Sequence, residues 1–574
     1  MDFIKGRNLT FFISRTLTAL VTVMLLFLIS TNLHYGSAEF YHYVNLAAFI
    51  ACAVTLFAVL CFIPSQRLIN CLLIGITTIY FCVAALRGAD YYFSFGLSFV
   101  LCMAVYFFDV GQFHLKLPKY AFWLLTGGMI AVFALWVGII SCMFYWNNAT
   151  SCYDMGIFSQ MFYYMREYGS VLTTCERDGL LSHFAVHFSP IYYSLLPFYC
   201  LFPTPATLLV CQAVLVGSGV IPLVLICKRY KLSNLACIAF TICYLLYPGF
   251  LGGCFFHFHE NCFLPPLLLW LLYFSEKKSV VFTSIFALLT MLVKEDAPMY
   301  VAVIALYFIF TNKNRLLHIV IFAVSVAYFI TVTQLMGVYG EGIMTSSRFP
   351  EYIHDDGGLM SFVRSVIQNP IFAIQQIFKE SKLLFILQLL GPLCFLPALC
   401  KKPARLLLYI PLLLLNLMTN YPYQHQIGYQ YVFGPGSLLM YLAVVNYAEL
   451  GPKRSKALLC AVLCSIVVFC GGAMRQQGYA TNYRYGAYQR QAVLEAIEVI
   501  PDDAVVVATT YYVPVLSQRD TIYELETTKH TGQYYVLDLR GHGYPEVQEK
   551  LNNGDYECLV YTEGVIAVYF DPNY

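Results

Sequence analysis

From residue 11 to residue 472 the chain is a succession of apolar stretches separated by short polar connections. About 20 apolar residues cross the hydrocarbon core of a bilayer. In that medium each backbone N–H and C=O must be bonded within its own segment, so such stretches fold as helices. The candidate spans are 11–31, 44–63, 68–86, 91–108, 121–145, 206–227, 232–250, 258–274, 279–293, 297–311, 315–337, 383–399, 404–420, 431–449 and 456–472. Several are short, and the fold class they set is an all-α polytopic membrane protein of about 13–15 transmembrane helices. Of the 574 residues only 11% are charged, against about a quarter in a soluble chain. This excludes a soluble enzyme and a disordered scaffold. The formal net charge of +2 draws in no nucleic acid.

The basic residues orient the spans. With a cytoplasmic N-terminus and a retained first span, 19 of the 34 Lys and Arg residues fall on inner segments, from Lys5 and Arg7 to Arg454 and Lys456. The short outer connections carry only Arg87 and Lys294, as the positive-inside rule requires. Residues 188–201 are apolar but short and proline-interrupted, and a crossing there would reverse the bias. They are expected to lie in or dip into the outer leaflet, within an outer loop over 146–205. Of the 18 acidic residues before residue 473, 14 fall outside. An ion-coupled carrier needs ionisable groups at mid-depth. The near absence of such groups places the chemistry at the outer face of the plasma membrane, toward the cell envelope.

Residues 473–574 differ, with 21 charges in 102 positions against 45 in the first 472. They predict a small extracytoplasmic α/β domain: a helix near 488–499, strands at 504–508, 521–524 and 534–539, a helix near 544–552, and strands at 557–561 and 565–570. It has no Gly-rich phosphate loop, Cys–His zinc spacing or Ser nucleophile elbow, so no chemistry is assigned to it.

The outer loops hold the candidate site. From Asp154, residues Ile157, Phe158, Met161, Phe162, Tyr164 and Met165 recur at helical spacing. Asp154 is then either the N-cap of an interfacial amphipathic helix or a carboxylate placed to act as a general base or metal ligand. His183 and His187, four apart, share a face if helical, as satisfied interfacial histidines or as two metal ligands without a third. Cys152 and Cys175 share the loop and can form a disulfide. Most of the 21 cysteines lie in spans and act as small apolar residues. A second turn, F256-H-F-H-E, sets His257 and His259 on one face if extended, beside Glu260. A third, K294-E-D, is a solvated hairpin tip or a cation for a headgroup phosphate, with Glu295 and Asp296 beside Lys294. The loop over 338–382, containing S346-S-R-F-P-E-Y-I-H-D-D-G-G, has the length of a loop that covers a site. Y421-P-Y-Q-H-Q-I-G-Y-Q-Y reads as an aromatic belt or a sugar-facing rim.

Taken in order, Y153-D-M-G-I-F-S-Q, H187-F-S-P-I-Y-Y, F256-H-F-H-E and K294-E-D resemble the marks of a domain-of-unknown-function family of predicted bacterial and archaeal membrane proteins. The stretch from Leu383 to Tyr441 and the V499-I-P-D-D-A tail also resemble it, so the likeness covers roughly residues 121–574. That family is similar to the GT-C glycosyltransferases, polytopic enzymes whose donor is a polyprenyl-phosphate sugar. The resemblance implies added N-terminal helices over 1–120, a GT-C-like core over 121–472 and the α/β domain over 473–574. It implies transfer of a sugar to an acceptor glycan, lipid or protein on the outer face, with Asp154 as catalytic carboxylate. The donor phosphate and sugar are expected near Lys294, Glu295, Asp296, His257, His259, Glu260 and His187. A second acidic residue and, in some members, a divalent metal are also implied, and Asp154, Glu176, Asp178 and His183 are the ligands on offer. The Asp-Glu or Asp-Asp pair of several relatives is missing here, since Met155 follows Asp154. The competing readings are a lipid-linked glycan transporter or flippase, and a non-enzymatic membrane protein.

Overall fold

A computed structural model describes residues 8–34, 45–88, 90–111, 116–311, 315–342, 344–353, 358–451, 454–472, 474–541, 553 and 555–574. Each apolar stretch coincides with helical structure. Among the described residues seven helices are long and apolar enough to cross a membrane alone. An eighth forms if Asn234–Leu245 and Pro248–Cys254, bent by 42° at Pro248, count as one. Proline lacks the N–H and its ring clashes with the preceding turn, which accounts for the bend.

The span expected over 404–420 is built from a 3-10 segment, Pro403–Tyr409, and a π segment, Leu412–Leu417, and two further expected spans are cut short. The one expected from residue 258 begins as an α-helix at Leu264, because His259–Phe263 are used in a tight turn. The one expected over 383–399 ends at Leu390. There Gly391 lies so close to Phe95 that a Cβ would come within 2.5 Å of the ring, and Cys394 and Phe395 follow with φ of 47° and 55°.

The centre of the bundle is Phe433–Ala448, whose side chains from Phe433 to Tyr447 are all buried. Lys119–Trp146 packs along Pro205–Ser218, where Gly217 sits against Phe133. Tyr91–Phe107 and Gln66–Gly88 pack on Arg454–Gly472. Arg15, inside the first helix, is fully buried and donates to the Leu60 and Ile63 carbonyls and to Gln66 Oε1 at 3.2, 2.8 and 2.6 Å. That bonding is what makes a buried guanidinium tolerable.

In the loop after Trp146, β1 (Leu172–Thr173) pairs antiparallel with β2 (Leu181–Ser182). Residues 188–201 fold as a five-residue 3-10 turn, Pro190–Ser194, and a six-residue helix, Leu196–Leu201. Neither is long enough to cross. The C-terminal sheet comprises β3 (Val506–Ala508), β4 (Ile522–Glu524), β5 (Tyr534–Asp538), β6 (Glu557–Thr562) and β7 (Ile566–Phe570), in the order β4-β3-β5-β7-β6. β3 is parallel to β4 and β5, whereas β7 is antiparallel to β5 and β6. The helix expected near 544–552 lies outside the described residues, as does the H354-D-D-G stretch of the 338–382 loop.

This domain is docked on the first loop, a contact the sequence does not announce. Ile157–Tyr168 carries Gln160, a buried amide whose Oε1 accepts from Thr174 N at 2.7 Å and Thr173 Oγ1 at 2.9 Å. Its Nε2 donates to the Arg519 and Asp520 carbonyls, both at 3.2 Å. Tyr163 and Tyr168 donate to the Asp520 carboxylate, and Arg540 donates to the carbonyls of Asn147 and Asn148.

Replacing Gln160 by Leu leaves these buried groups without partners, at a cost of about 2–3 kcal/mol. The expected result is a lower thermal midpoint for the detergent-solubilised protein and faster tryptic cleavage at Arg484. A midpoint equal to wild type would show that the docking does not depend on this amide.

Candidate active site

The chain leaves the Lys119–Trp146 helix and turns back through Cys152–Gly156 before Ile157–Tyr168 begins. Asp154 lies in this turn with φ 66° and ψ −66°, a conformation that costs an L-residue about 1–3 kcal/mol. Gly156, not Asp154, flanks the helix, and no side chain caps it, so the N-cap expectation is corrected. The Asp154 carboxylate hydrogen-bonds to no described protein group. Burial pushes its pKa up; His259, Lys294 and His187 pull it down, and Glu260 adds to the rise.

Behind Asp154 the loops interlock around Glu260, which is fully buried. Its Oε2 accepts from the Tyr192 hydroxyl at 2.7 Å and meets His259 Nδ1 at 3.0 Å, and its Oε1 pairs with Lys294 Nζ at 3.0 Å. Burial opposes the Glu260 charge, yet His259 and Lys294 overcome it and hold the carboxyl well below its ordinary range. His259 is itself pushed down by burial, against the pull of Glu260. Burial disfavours charge on Lys294 too, but Glu260, Glu295 and Asp296 raise it and keep it an ammonium.

A second line of bonds runs from Tyr192. His183 Nε2 lies 3.2 Å from the Tyr192 hydroxyl, and its Nδ1 lies 2.7 Å from Glu176 Oε2. Burial works against the His183 charge, and Glu176 more than compensates, so its pKa is raised. His187 Nδ1 meets Glu295 Oε1 at 2.9 Å, and the Phe188 N–H donates to Glu295 Oε2 at 3.1 Å. Asp296 has its carboxyl pushed up to about 6 by burial, against the pull of Lys294. His257 faces Ser151 Oγ at 3.3 Å through Nε2, beside the ring of Phe256.

The expected residues thus divide. Asp154, His187, His259, Glu260, Lys294, Glu295 and Asp296 lie within one electrostatic cluster, with His183, Glu176 and His257 at its edge. Asp178 is elsewhere: it accepts from the Thr528 hydroxyl and the Lys529 N–H, anchoring the C-terminal domain. Glu176 and His183 are taken up by each other. Among the described residues Asp154, Glu176, Asp178 and His183 form no group of three with ligand atoms at metal-binding spacing, so they do not fit a divalent-ion cage. Cys152 and Cys175 are adjacent, buried and free rather than bonded.

Three contributors escaped sequence reasoning. Gln212 donates from Nε2 to the carbonyls of Cys254 and His257 at 3.2 and 2.9 Å and accepts from His259 N at 3.0 Å, so it fixes the F256-H-F-H-E turn. Its signal was a lone amide in the apolar helix Pro205–Ser218. Tyr192 stood inside a quoted motif. Arg348 stacks 3.5 Å over the Tyr421 ring, and its Nη2 donates to the Tyr431 hydroxyl at 3.3 Å. Its Nη1 is buried without a hydrogen-bond partner. Tyr431 lies within electrostatic reach of both Lys294 and Asp154, so Arg348 brings a second cation to the same side. A cavity of about 610 Å³ is lined by Gly252, Phe255, Gln388, Tyr429 and Phe469 among others; it adjoins the F256-H-F-H-E turn, whose Phe256 packs on Tyr429, but none of the cluster's charged residues lines it.

Residues 144–567 match the family described as Predicted membrane protein (DUF2079). No curated protein matches the chain by sequence. Among solved structures the chain is similar to ArnT from Cupriavidus metallidurans bound to undecaprenyl phosphate, with a TM-score of 0.50 and 12% identity over 79% of this chain and 98% of that one. The apo state of the same protein aligns with a TM-score of 0.46 and 12% identity, over 76% and 97% of the two chains. The fold is therefore of the GT-C class, with a small C-terminal sheet.

Two outcomes follow from the buried charges. Lys294→Met leaves Glu260 buried with its cation gone, a loss of about 3–5 kcal/mol. The double variant with Glu260→Gln is expected to recover part of the thermal midpoint, and strict additivity in the cycle would deny the pairing. Asp296, at about 6 when folded against 3.8 ordinarily, binds its proton more tightly in the folded state. Its contribution is full below 3.8 and is lost as pH rises through about 6. The difference in thermal midpoint between wild type and Asp296→Asn should therefore change between pH 4 and 6 and be flat above; a pH-independent difference would exclude the shift.

Proposed function

The chain belongs to the DUF2079 family of predicted membrane proteins, and from that premise we propose that it is a GT-C-type glycosyltransferase using a polyprenyl-phosphate sugar. The sugar passes to an acceptor on the outer face of the membrane, with the N-terminus cytoplasmic and the C-terminal domain outside. The observation that carries this reading is the pairing of opposites in one electrostatic cluster: Asp154, a carboxylate with no hydrogen bond to a described group, lies within the field of Lys294, and Tyr431 couples both to a second cation, Arg348. Support comes from the fold shared with ArnT, a protein seen bound to undecaprenyl phosphate.

In this reading the isoprenoid chain lies in the largely apolar 610 Å³ cavity. Its phosphate meets Arg348 Nη1 and the field of Lys294. An acceptor hydroxyl attacks the anomeric carbon, the bond from that carbon to the phosphate oxygen breaks, and the acceptor's proton passes to Asp154. The raised pKa of Asp154 suits a general base. The leaving phosphate is already anionic and needs electrostatic stabilisation more than a proton. The C-terminal domain meets the Asp154 turn directly, through the Cys152 N–H donating to Thr510 Oγ1 at 3.1 Å and Val513 against Gly156, and this contact supports a role for it in holding the acceptor.

The test is mass spectrometry of lipid extracts from cells carrying wild type, a deletion or Asp154→Asn. A polyprenyl-phosphate sugar is expected to accumulate in both mutants, with turnover down roughly 10²–10⁴-fold in the variant, the range general-base loss gives. Normal lipids in Asp154→Asn alongside accumulation in the deletion would remove Asp154 from the mechanism and favour a transporter.

A further inference from the structure

Far from the loops, four cysteines from three separate elements meet inside the bundle. Cys102 comes from Tyr91–Phe107, Cys394 from the break after Gly391–Leu393, and Cys460 and Cys464 from successive turns of Arg454–Gly472. The sulfurs of Cys102, Cys394 and Cys460 lie within 4.8 Å of one another, and Cys464 Sγ is 3.5 Å from Cys102 Sγ. We propose that these four thiols bind a zinc ion that pins the N-terminal helices to the helical core.

The spacing fits. Four sulfurs about 2.3 Å from a tetrahedral zinc stand roughly 3.8 Å apart; Cys102, Cys394 and Cys460 lie within about an ångström of that spacing, and Cys464, in contact with Cys102, reaches the fourth position by a shift of its side chain. Cys460 and Cys464 are buried and the other two half-buried. The backbone gives a second, independent sign. Cys394 and Phe395 are consecutive L-residues with left-handed φ of 47° and 55°. Such conformations cost about 1–3 kcal/mol each and persist where the surroundings over-determine them. The break interrupts what would otherwise be a continuous span and delivers Cys394 to the other three thiols. It is held by Ser465 Oγ donating to the Pro392 carbonyl at 2.8 Å and by Gly391 against Phe95. Cysteines serving only as small apolar filler need neither the strained turn nor convergence from three elements.

Zinc is held by thiolates, so binding displaces a proton from each of the four thiols and leaves a site of net charge −2. The four protons leave to water at the end of the bundle where the Lys456 ammonium, one turn before Cys460, bonds the carbonyls of Tyr106 and Phe108 at 2.8 and 3.1 Å and offsets part of that charge. Soft thiolate ligands select zinc over the hard divalent ions.

The experiment is elemental mass spectrometry of the full chain purified in detergent under reducing conditions without chelator. About one zinc per chain is expected, falling at least tenfold in Cys394→Ser/Cys460→Ser and unchanged in Cys200→Ser, an exposed cysteine outside the cluster. In wild type itself, chelation should lower the thermal midpoint and zinc alone should restore it, a readout independent of how well the variants fold. Cobalt(II) added to the chelated protein should give an intense near-ultraviolet thiolate band. Absence of zinc with no cobalt band, zinc unchanged in the double variant, or a Cys102–Cys464 disulfide in non-reduced peptides would each overturn the proposal.

Discussion

The pair between Glu260 and Lys294 is the constraint on which the site depends. Glu260 has no exposure to water and Lys294 is 5% exposed, so neither charge survives without the other. Meeting that demand brings three loops together. Glu260 comes from the turn before Leu264–Lys277, Lys294 from the turn before Ala297–Thr311, and Tyr192 from the first long loop. Once Tyr192 is bound, His183 and Glu176 follow through the remaining imidazole contacts. Glu295, next in sequence to Lys294, draws in His187 and the Phe188 N–H. A region without long helices is thus rigidified by charge-assisted bonds in a medium where such bonds are strong.

The same environment moves two carboxyls in opposite directions. Glu260 is surrounded by donors and held ionised, while Asp154 is half-buried, has no hydrogen bond from a described group, and its pKa rises. Separation of acidities within one pocket is how a protein obtains a fixed countercharge and a proton acceptor from the same residue type. Asp154 sits on backbone that costs energy, which the docking of the C-terminal domain helps hold: Thr510 bonds the Cys152 N–H and Val513 closes on Gly156.

Much of this was legible in the sequence and some was not, for physical reasons. Apolar length marks a span because the bilayer tests one variable, and strands β3–β7 fall at the five expected positions. The four motifs along the chain named nearly the whole cluster because unusual polar residues beside a bilayer are costly and therefore conspicuous. What stayed hidden depends on tertiary partners. Asp178 reads like a ligand until the C-terminal domain supplies Thr528 and Lys529. His183 and His187 read as a pair at helical spacing, yet each turns to a different carboxylate and their rings stand 5.8 Å apart. The N-cap expectation for Asp154 failed because Gly156 lets the helix start two residues later, so the carboxylate points elsewhere.

Arg348 shows why a basic residue in a long loop is undervalued by counting. Topology rules weigh short connections, and they pass over an arginine in the 338–382 loop. In the fold its carbonyl accepts from Asn420 N and Thr419 Oγ1, which anchors the loop beside Tyr431, and one guanidinium nitrogen is left buried and unbonded. A buried unbonded N–H on a permanent cation is costly in isolation and is stabilised by an anion arriving there. Lys294 is already neutralised by Glu260, so the unmet demand for negative charge lies at Arg348, on the side of the pocket that Tyr431 shares with Asp154. An anionic headgroup entering between them would complete a charge balance that the described residues leave open.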